Sequence, residues 1–132
     1  MLNLEAGQIE FLKYICGVIC CTECPHAPVL NADSCVVSNN RAYIHIQYSE
    51  TVRVRSLRLL YKEALSEKYW ERVDVTDMSR GSAHVTLNLL RPATMYRAYA
   101  VASNAAGDSL PSDELWFQTV DSEHVDVHVI SK

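Results

Sequence analysis

Downstream of Pro28, apolar residues recur at every second position in short runs separated by turn-forming stretches. Ile44, Ile46 and Tyr48 alternate with Tyr43, His45 and Gln47, and Leu57, Leu59 and Tyr61 with Arg58, Leu60 and Lys62. Val85, Leu87 and Leu89 alternate with His84, Thr86 and Asn88; Tyr96, Ala98, Ala100 and Ala102 form one face of a further run, and Leu115 and Phe117 one face of the last. Successive side chains of a strand point to opposite faces, so this period belongs to strands with one face buried. With residues 29–37 in front and 70–75 between, seven strands are predicted, and residues 38–40, 76–82 and 105–112 read as turn-rich separators. Seven alternating strands in about a hundred residues is the arithmetic of an all-β, two-sheet antiparallel sandwich.

Residues 1–27 do not share the period. Leu2, Leu4, Ile9, Leu12, Ile15 and Ile19 lie mostly three or four apart, which predicts a short amphipathic helix weakened by Gly7 and Gly17. Pro25 and Pro28 end it and mark a boundary. The expected organisation is a Cys-rich segment at 1–27, the sandwich at 28–120 and an acidic tail or linker at 121–132.

Composition narrows the function. The net charge is −4, with one Lys against three Glu in residues 1–27 and one Lys against two Asp and one Glu in 121–132. Residues 28–120 hold ten basic and ten acidic residues, so no nucleic-acid partner is expected from backbone neutralisation. The four glycines form no GxGxxG, GxxxxGK[ST] or GxSxG string, and HExxH is absent. We therefore predict no catalytic residues and no cofactor. No apolar run reaches the eighteen residues of a membrane-spanning helix.

Two strings specify more than an alternation. Leu90-Arg91-Pro92-Ala93-Thr94-Met95-Tyr96 has the form L-x-P-x-T-x-Y: leucine closes a strand, proline sets the crossing turn, and the tyrosine hydroxyl can reach back to the corner's backbone. Asn104 to Ser109 reads N-x-x-G-x-S, with Gly107 at its centre, and Phe117-Gln118-Thr119 follows. Together these resemble the fibronectin type III domain over residues 28–120, which implies an immunoglobulin-like sandwich. One departure is that Tyr48 stands where such domains usually carry a core Trp; its hydroxyl is expected to find a partner or the sheet rim. The entry Ala27-Pro28-Val29-Leu30-Asn31, then Cys35 and Asn39-Asn40, is similar to the fibronectin type III domain of intracellular tripartite-motif ubiquitin ligases. That likeness implies a fragment or reduced relative without ligase activity, since neither RING nor B-box is present. Tyr14-Ile15-Cys16-Gly17-Val18 also looks like the Y-x-C-x-V of an immunoglobulin strand, which would make 1–24 the end of a preceding domain.

Several constellations contain residue types that can carry chemistry. Cys21-x-x-Cys24-Pro-His26, with Cys16 or Cys20 beside it, looks like half of a zinc site, but the second half that a complete site needs is missing, so no metal is assigned. His45 and His84 fall on outward phases, where solvated histidine is the ordinary case. His124-x-Asp126-x-His128 has no fourth ligand, and the cluster Arg53, Arg55 and Arg58 is balanced by nearby glutamates. In this fold the third, sixth and last strands are neighbours. Their outward residues are Arg58, Leu60 and Lys62; Arg97, Tyr99 and Val101; and Glu114, Trp116 and Gln118. Interface hot spots are rich in Trp, Tyr and Arg, so Leu60, Tyr99 and Trp116, with Arg58 and Arg97 as charged contacts, are the predicted protein-binding patch.

The resulting expectation is a non-catalytic interaction or spacer module flanked by further domains of a larger scaffold protein. Five cysteines, the lack of an Asn-x-Ser/Thr sequon and a poor signal sequence point to a cytoplasmic, tripartite-motif-like home. The alternative is an ectodomain module of a cell-adhesion or signalling receptor; a third is a small zinc-binding protein through Cys16–His26. The protein partner is unknown.

Overall fold

The computed structural model describes residues 23–121 and 128–129. The predicted helix at 2–19, the Y-x-C-x-V string and Cys16, Cys20 and Cys21 lie outside the described residues. The alternating runs form two antiparallel sheets. The first holds β1 (Val29–Leu30), β2 (Val36–Val37), β3 (Ala42–Gln47), β6 (Asp77–Ser79), β7 (Ser82–Leu87) and β11 (His128–Val129). The second holds β4 (Ser56–Glu63), β5 (Glu71–Val75), β8 (Met95–Asn104), β9 (Gly107–Asp108) and β10 (Leu115–Gln118). Strand order is β11–β2–β3–β7–β6 in the first and β10–β8–β4–β5 in the second, with β1 on β3 and β9 on β8. Alternation supplies the core: Ile44, Ile46, Val85 and Leu87 from one sheet meet Leu57, Leu59, Ala98, Ala100 and Phe117 from the other.

Three expectations about local structure are corrected. The run 29–37 is not one strand, because a 3₁₀ turn at Ala32–Ser34, capped by the Asn31 side chain, breaks it into β1 and β2. The separator 76–82 contains β6, whose residues pair with β7 across a tight turn at Arg80-Gly81, where Gly81 has a φ of +70°. The separator 105–112 contains β9. Each strand missed is two or three residues long, too short for a period to register. The segments beyond the predicted boundaries also touch the sandwich: β11 pairs with β2, and Asn104 Nδ2 donates to the carbonyls of Glu23 (2.9 Å) and Arg53 (2.8 Å). Tyr48, half-buried just past β3, donates its hydroxyl to the Ser79 carbonyl.

The two signature strings act through named bonds. At the crossing from β7 to β8, the Tyr96 hydroxyl accepts from the Arg91 backbone N–H at 2.8 Å, while the Tyr96 ring is buried and stacks on Phe117 at 5.6 Å. Thr119, also buried, donates its hydroxyl to the Arg91 carbonyl and accepts from Thr94 N–H at 3.0 Å. These ties hold Leu89 and Ala93 at φ of 61° and 49°, a region L-residues rarely adopt. In the second string, Asn104 Oδ1 accepts from Ala106 N–H at 2.8 Å and Gly107 turns the chain at a φ of +138°. A Cβ there would meet Cys24 Sγ at 3.3 Å, so both conformation and space ask for glycine. Ser109 then accepts from Ala102 N–H at 3.0 Å, where the approach to β10 has left the sheet ladder.

Tyr96→Phe keeps the ring and strands the Arg91 N–H, which should destabilise the domain by about 1–3 kcal/mol. Denaturant melts of the variant check it; a midpoint equal to that of the unaltered chain would mean that the hydroxyl does not hold the corner.

Candidate functional site

The β10–β8–β4–β5 sheet turns one face to the core and leaves the other uncovered by any second layer among the described residues. Leu115 and Phe117 are buried and Trp116 between them is 44% exposed, so Trp116 lies on the outer face. Register fixes its neighbours. Trp116 stands opposite Arg97 on β8, and Arg97 stands opposite Lys62 on β4. One step along, Tyr99 faces Leu60, which faces Arg72 on β5.

Trp70, immediately before β5, completes the arrangement. Its ring meets Tyr99 edge-on with centroids 4.8 Å apart. The Arg97 guanidinium lies 5.1 Å from the Trp70 centroid and 5.8 Å from that of Trp116, so it is held between two indoles. The Lys62 ammonium sits over Trp70 at 5.4 Å. A cation over an indole face gains about 0.5–1 kcal/mol when exposed and more when desolvated. Glu114 closes the row: its Oε1 accepts from Trp116 Nε1–H at 3.0 Å and lies 3.7 Å from Arg97 Nη1. Arg97 Nε is shielded from solvent and has no acceptor among the described residues. The result is a ladder of Lys62, Trp70, Arg97 and Trp116. A groove of about 520 Å³ adjoins it, lined among others by Lys62, Lys68, Tyr69, Leu89 and Tyr96.

The structure thus redistributes the predicted patch. Leu60 and Tyr99 are direct cross-strand neighbours, but Trp116 sits beside Arg97 and not beside Leu60. Val101, expected outward and available, is buried. Arg58 is four residues from Lys62 along β4, about 13 Å at the rise of a strand. It is committed elsewhere, with Nη2 2.7 Å from Asp108 Oδ2 and Nη1 donating to Ser103 Oγ at 3.1 Å. The hydrogen bond from Arg58 to Asp108, with a second from Ser103, holds the Asp108 carboxyl below the ordinary carboxylate range. Arg58 therefore braces the β8–β9 hairpin. Trp70 is the residue sequence reading missed as part of the patch: it opens the predicted strand 70–75 in phase with Arg72, but the predicted patch takes its residues from the third, sixth and last strands alone. The pair Tyr69-Trp70 between two charged stretches was the available signal.

The other candidates separate. Cys24 Sγ donates to the Ala106 carbonyl at 3.6 Å and His26 is exposed, while Cys21 lies outside the described residues. Among the described residues no three His, Cys, Asp or Glu side chains are grouped to hold a metal ion. His45 and His84 are not separately solvated as expected. They are opposite each other on β3 and β7, half-buried and stacked at 4.8 Å, and Tyr43 stacks on His84 at 5.2 Å. Burial, then the charge of His84, pushes the His45 pKa below its ordinary value.

No family model and no curated protein matches the chain by sequence. Solved structures do. The fibronectin type III domain of human fibronectin type III domain containing protein 3 aligns with a TM-score of 0.59 and 19% identity, over 75% of this chain and 89% of that one. The fn3 domain of human contactin 1 aligns at 0.58 and 26% identity, over 75% and 78%. The chicken CNTN1 FN1–FN3 domains align at 0.62 and 23% identity, with 74% of this chain covering 33% of that longer one.

The stacked histidines generate a pH dependence. A His pKa depressed by folding means that the folded state binds fewer protons, so the pair's contribution is complete above about pH 6.5 and is lost as pH falls through the depressed folded value. Asp77 stands opposite His84 on β6. Melting midpoints at about pH 7.5 and 5 should fall less in His84→Gln than in the unaltered chain. Equal drops would show that the stack carries no such linkage.

Proposed function

We propose that this chain, which has the fibronectin type III fold, is a non-catalytic protein-interaction module of a larger protein and docks its partner through the outer face of the β10–β8–β4–β5 sheet. The observation that carries this reading is the exposed ladder in which Arg97 is clamped between Trp70 and Trp116. Tryptophan and arginine dominate interface hot spots, and a prealigned cluster loses little rotamer freedom on binding. The leading context is an intracellular scaffold of the tripartite-motif-like kind, supported by the sequence of the domain entry. The second context is a cell-adhesion or signalling receptor, supported by the likeness to chicken CNTN1 FN1–FN3, of which this chain covers a third. Flanking domains accompany either. The zinc reading has only Cys24 and His26 within the described residues and nothing that joins them.

The docking face is tested by comparing Trp116→Ala with Gln118→Ala, two outward residues of one strand that differ in apolar area. Glu114 is unsuitable as the control, since it is bonded to both Trp116 and Arg97. Losing a central aromatic should cost about 2–4 kcal/mol of binding, roughly thirty- to a thousandfold, and losing the rim amide far less. Quantitative capture should show the same proteins lost with Trp116→Ala and with Trp70→Ala but kept with Gln118→Ala, at unchanged melting midpoints. Capture indifferent to both tryptophans would remove this face as the docking surface.

The two contexts differ in thiol chemistry. Cys35 is wholly buried, and burial pushes its thiol up to about 11. At pH 8 only about one part in a thousand is thiolate, so it should be silent towards thiol reagents in the folded protein. After unfolding, the intracellular reading expects all five thiols. A count of one, as left by two disulfides, would favour the receptor.

A further inference from the structure

We infer that the partner presents a carboxylate to this face: Lys62 and Arg97, clamped by Trp70 and Trp116, form a receptor for an acidic residue of an extended peptide segment with apolar neighbours. This rests on the reading of the face as protein-binding and adds the partner's chemistry. Lys62 and Arg97 are directly opposed on β4 and β8, a like-charge cross-strand pair, which is destabilising unless an anion lies between. The described structure does not supply one in full. Lys62 has no ion pair among the described residues, and Arg97 has only Glu114 at 3.7 Å, through an oxygen already accepting from Trp116. Arg97 Nε has no acceptor among the described residues.

The surroundings choose among anions. Two indoles flank the planar guanidinium and partly desolvate it, which strengthens the charge-assisted bonds a carboxylate makes to an arginine fork. Glu114 lies 3.7 Å from Arg97, and Glu63 and Glu71 line the adjoining groove beside Lys62, so a single carboxylate suits the site and a polyanion such as nucleic acid does not. That groove has mixed walls, with Tyr69 and Leu89 as its exposed apolar residues, Leu89 92% exposed. An apolar side chain next to the acidic residue would enter it.

Trp70 and Trp116 are the two tryptophans of the chain, so tryptophan emission, excited selectively over the seven tyrosines, reports on this surface. The full chain would be titrated with two end-capped degenerate peptide pools, identical in small and aliphatic flanking residues, one with a central Glu and the other with a central Gln. The Glu pool should perturb the emission with a midpoint at least about tenfold lower, and the difference should shrink as salt shortens the Debye length. Lys62→Gln and Arg97→Gln should each collapse the difference; Lys62→Gln leaves the Arg97–Trp116 stack in place and trades one cation–π contact against relief of the like-charge pair, so the domain should stay cooperatively folded in a melt. Equal midpoints for the two pools, both lost in Trp116→Ala, would overturn the carboxylate receptor and leave a peptide-binding face standing. No response to either pool would overturn the receptor, with the capture experiment still deciding the face. Inorganic phosphate matching the Glu pool at equal concentration would overturn it too, reducing the site to a general anion trap.

Discussion

The hydrogen bond from the Arg91 N–H to the Tyr96 hydroxyl fixes the loop that carries the chain from β7 in the first sheet to β8 in the second. Tyr96 is buried in the core through its ring and bonded to the crossing loop through its hydroxyl, so packing and path are set by one side chain. Thr119 closes the same loop from the far strand. With both in place, the loop holds two non-glycine residues at positive φ, a conformation that would relax if the ties were cut. The phase of β8 follows from this anchor. Tyr96 inward puts Arg97 and Tyr99 outward, and the ladder on the outer face is built on that alternation.

The outer face shows how aromatic residues organise charge without neutralising it. Two cations stand opposite each other, and the indole beside them contributes a π-face to each. Arg97 gains stacking on both sides but few hydrogen bonds, leaving a fork-shaped donor set oriented and underused. Arg58, on the same strand as Lys62, is the contrast. It is fully engaged with Asp108 and Ser103 and serves the fold. Two arginines on one sheet face thus differ by partner, a distinction that depends on three-dimensional neighbours alone.

What the sequence by itself determined was the fold. Period-two alternation has one solution when each strand buries a face, and the L-x-P-x-T-x-Y and N-x-x-G-x-S strings name the corner and the turn by residue types that those conformations require. The outward position of Trp116 follows from the same alternation through Leu115 and Phe117. What only the tertiary structure decided was who meets whom. β6 and β9 are set by pairing with a neighbour and are too short to carry a period. Trp70 shares the phase of Arg72, and only the pairing of β5 with β4 lays it over Arg97. His45 and His84 are 39 positions apart and become a stacked pair because β3 and β7 are adjacent in antiparallel register. Alternation is a local property of a strand, whereas registers, turns and ring contacts are set by folding distant segments together.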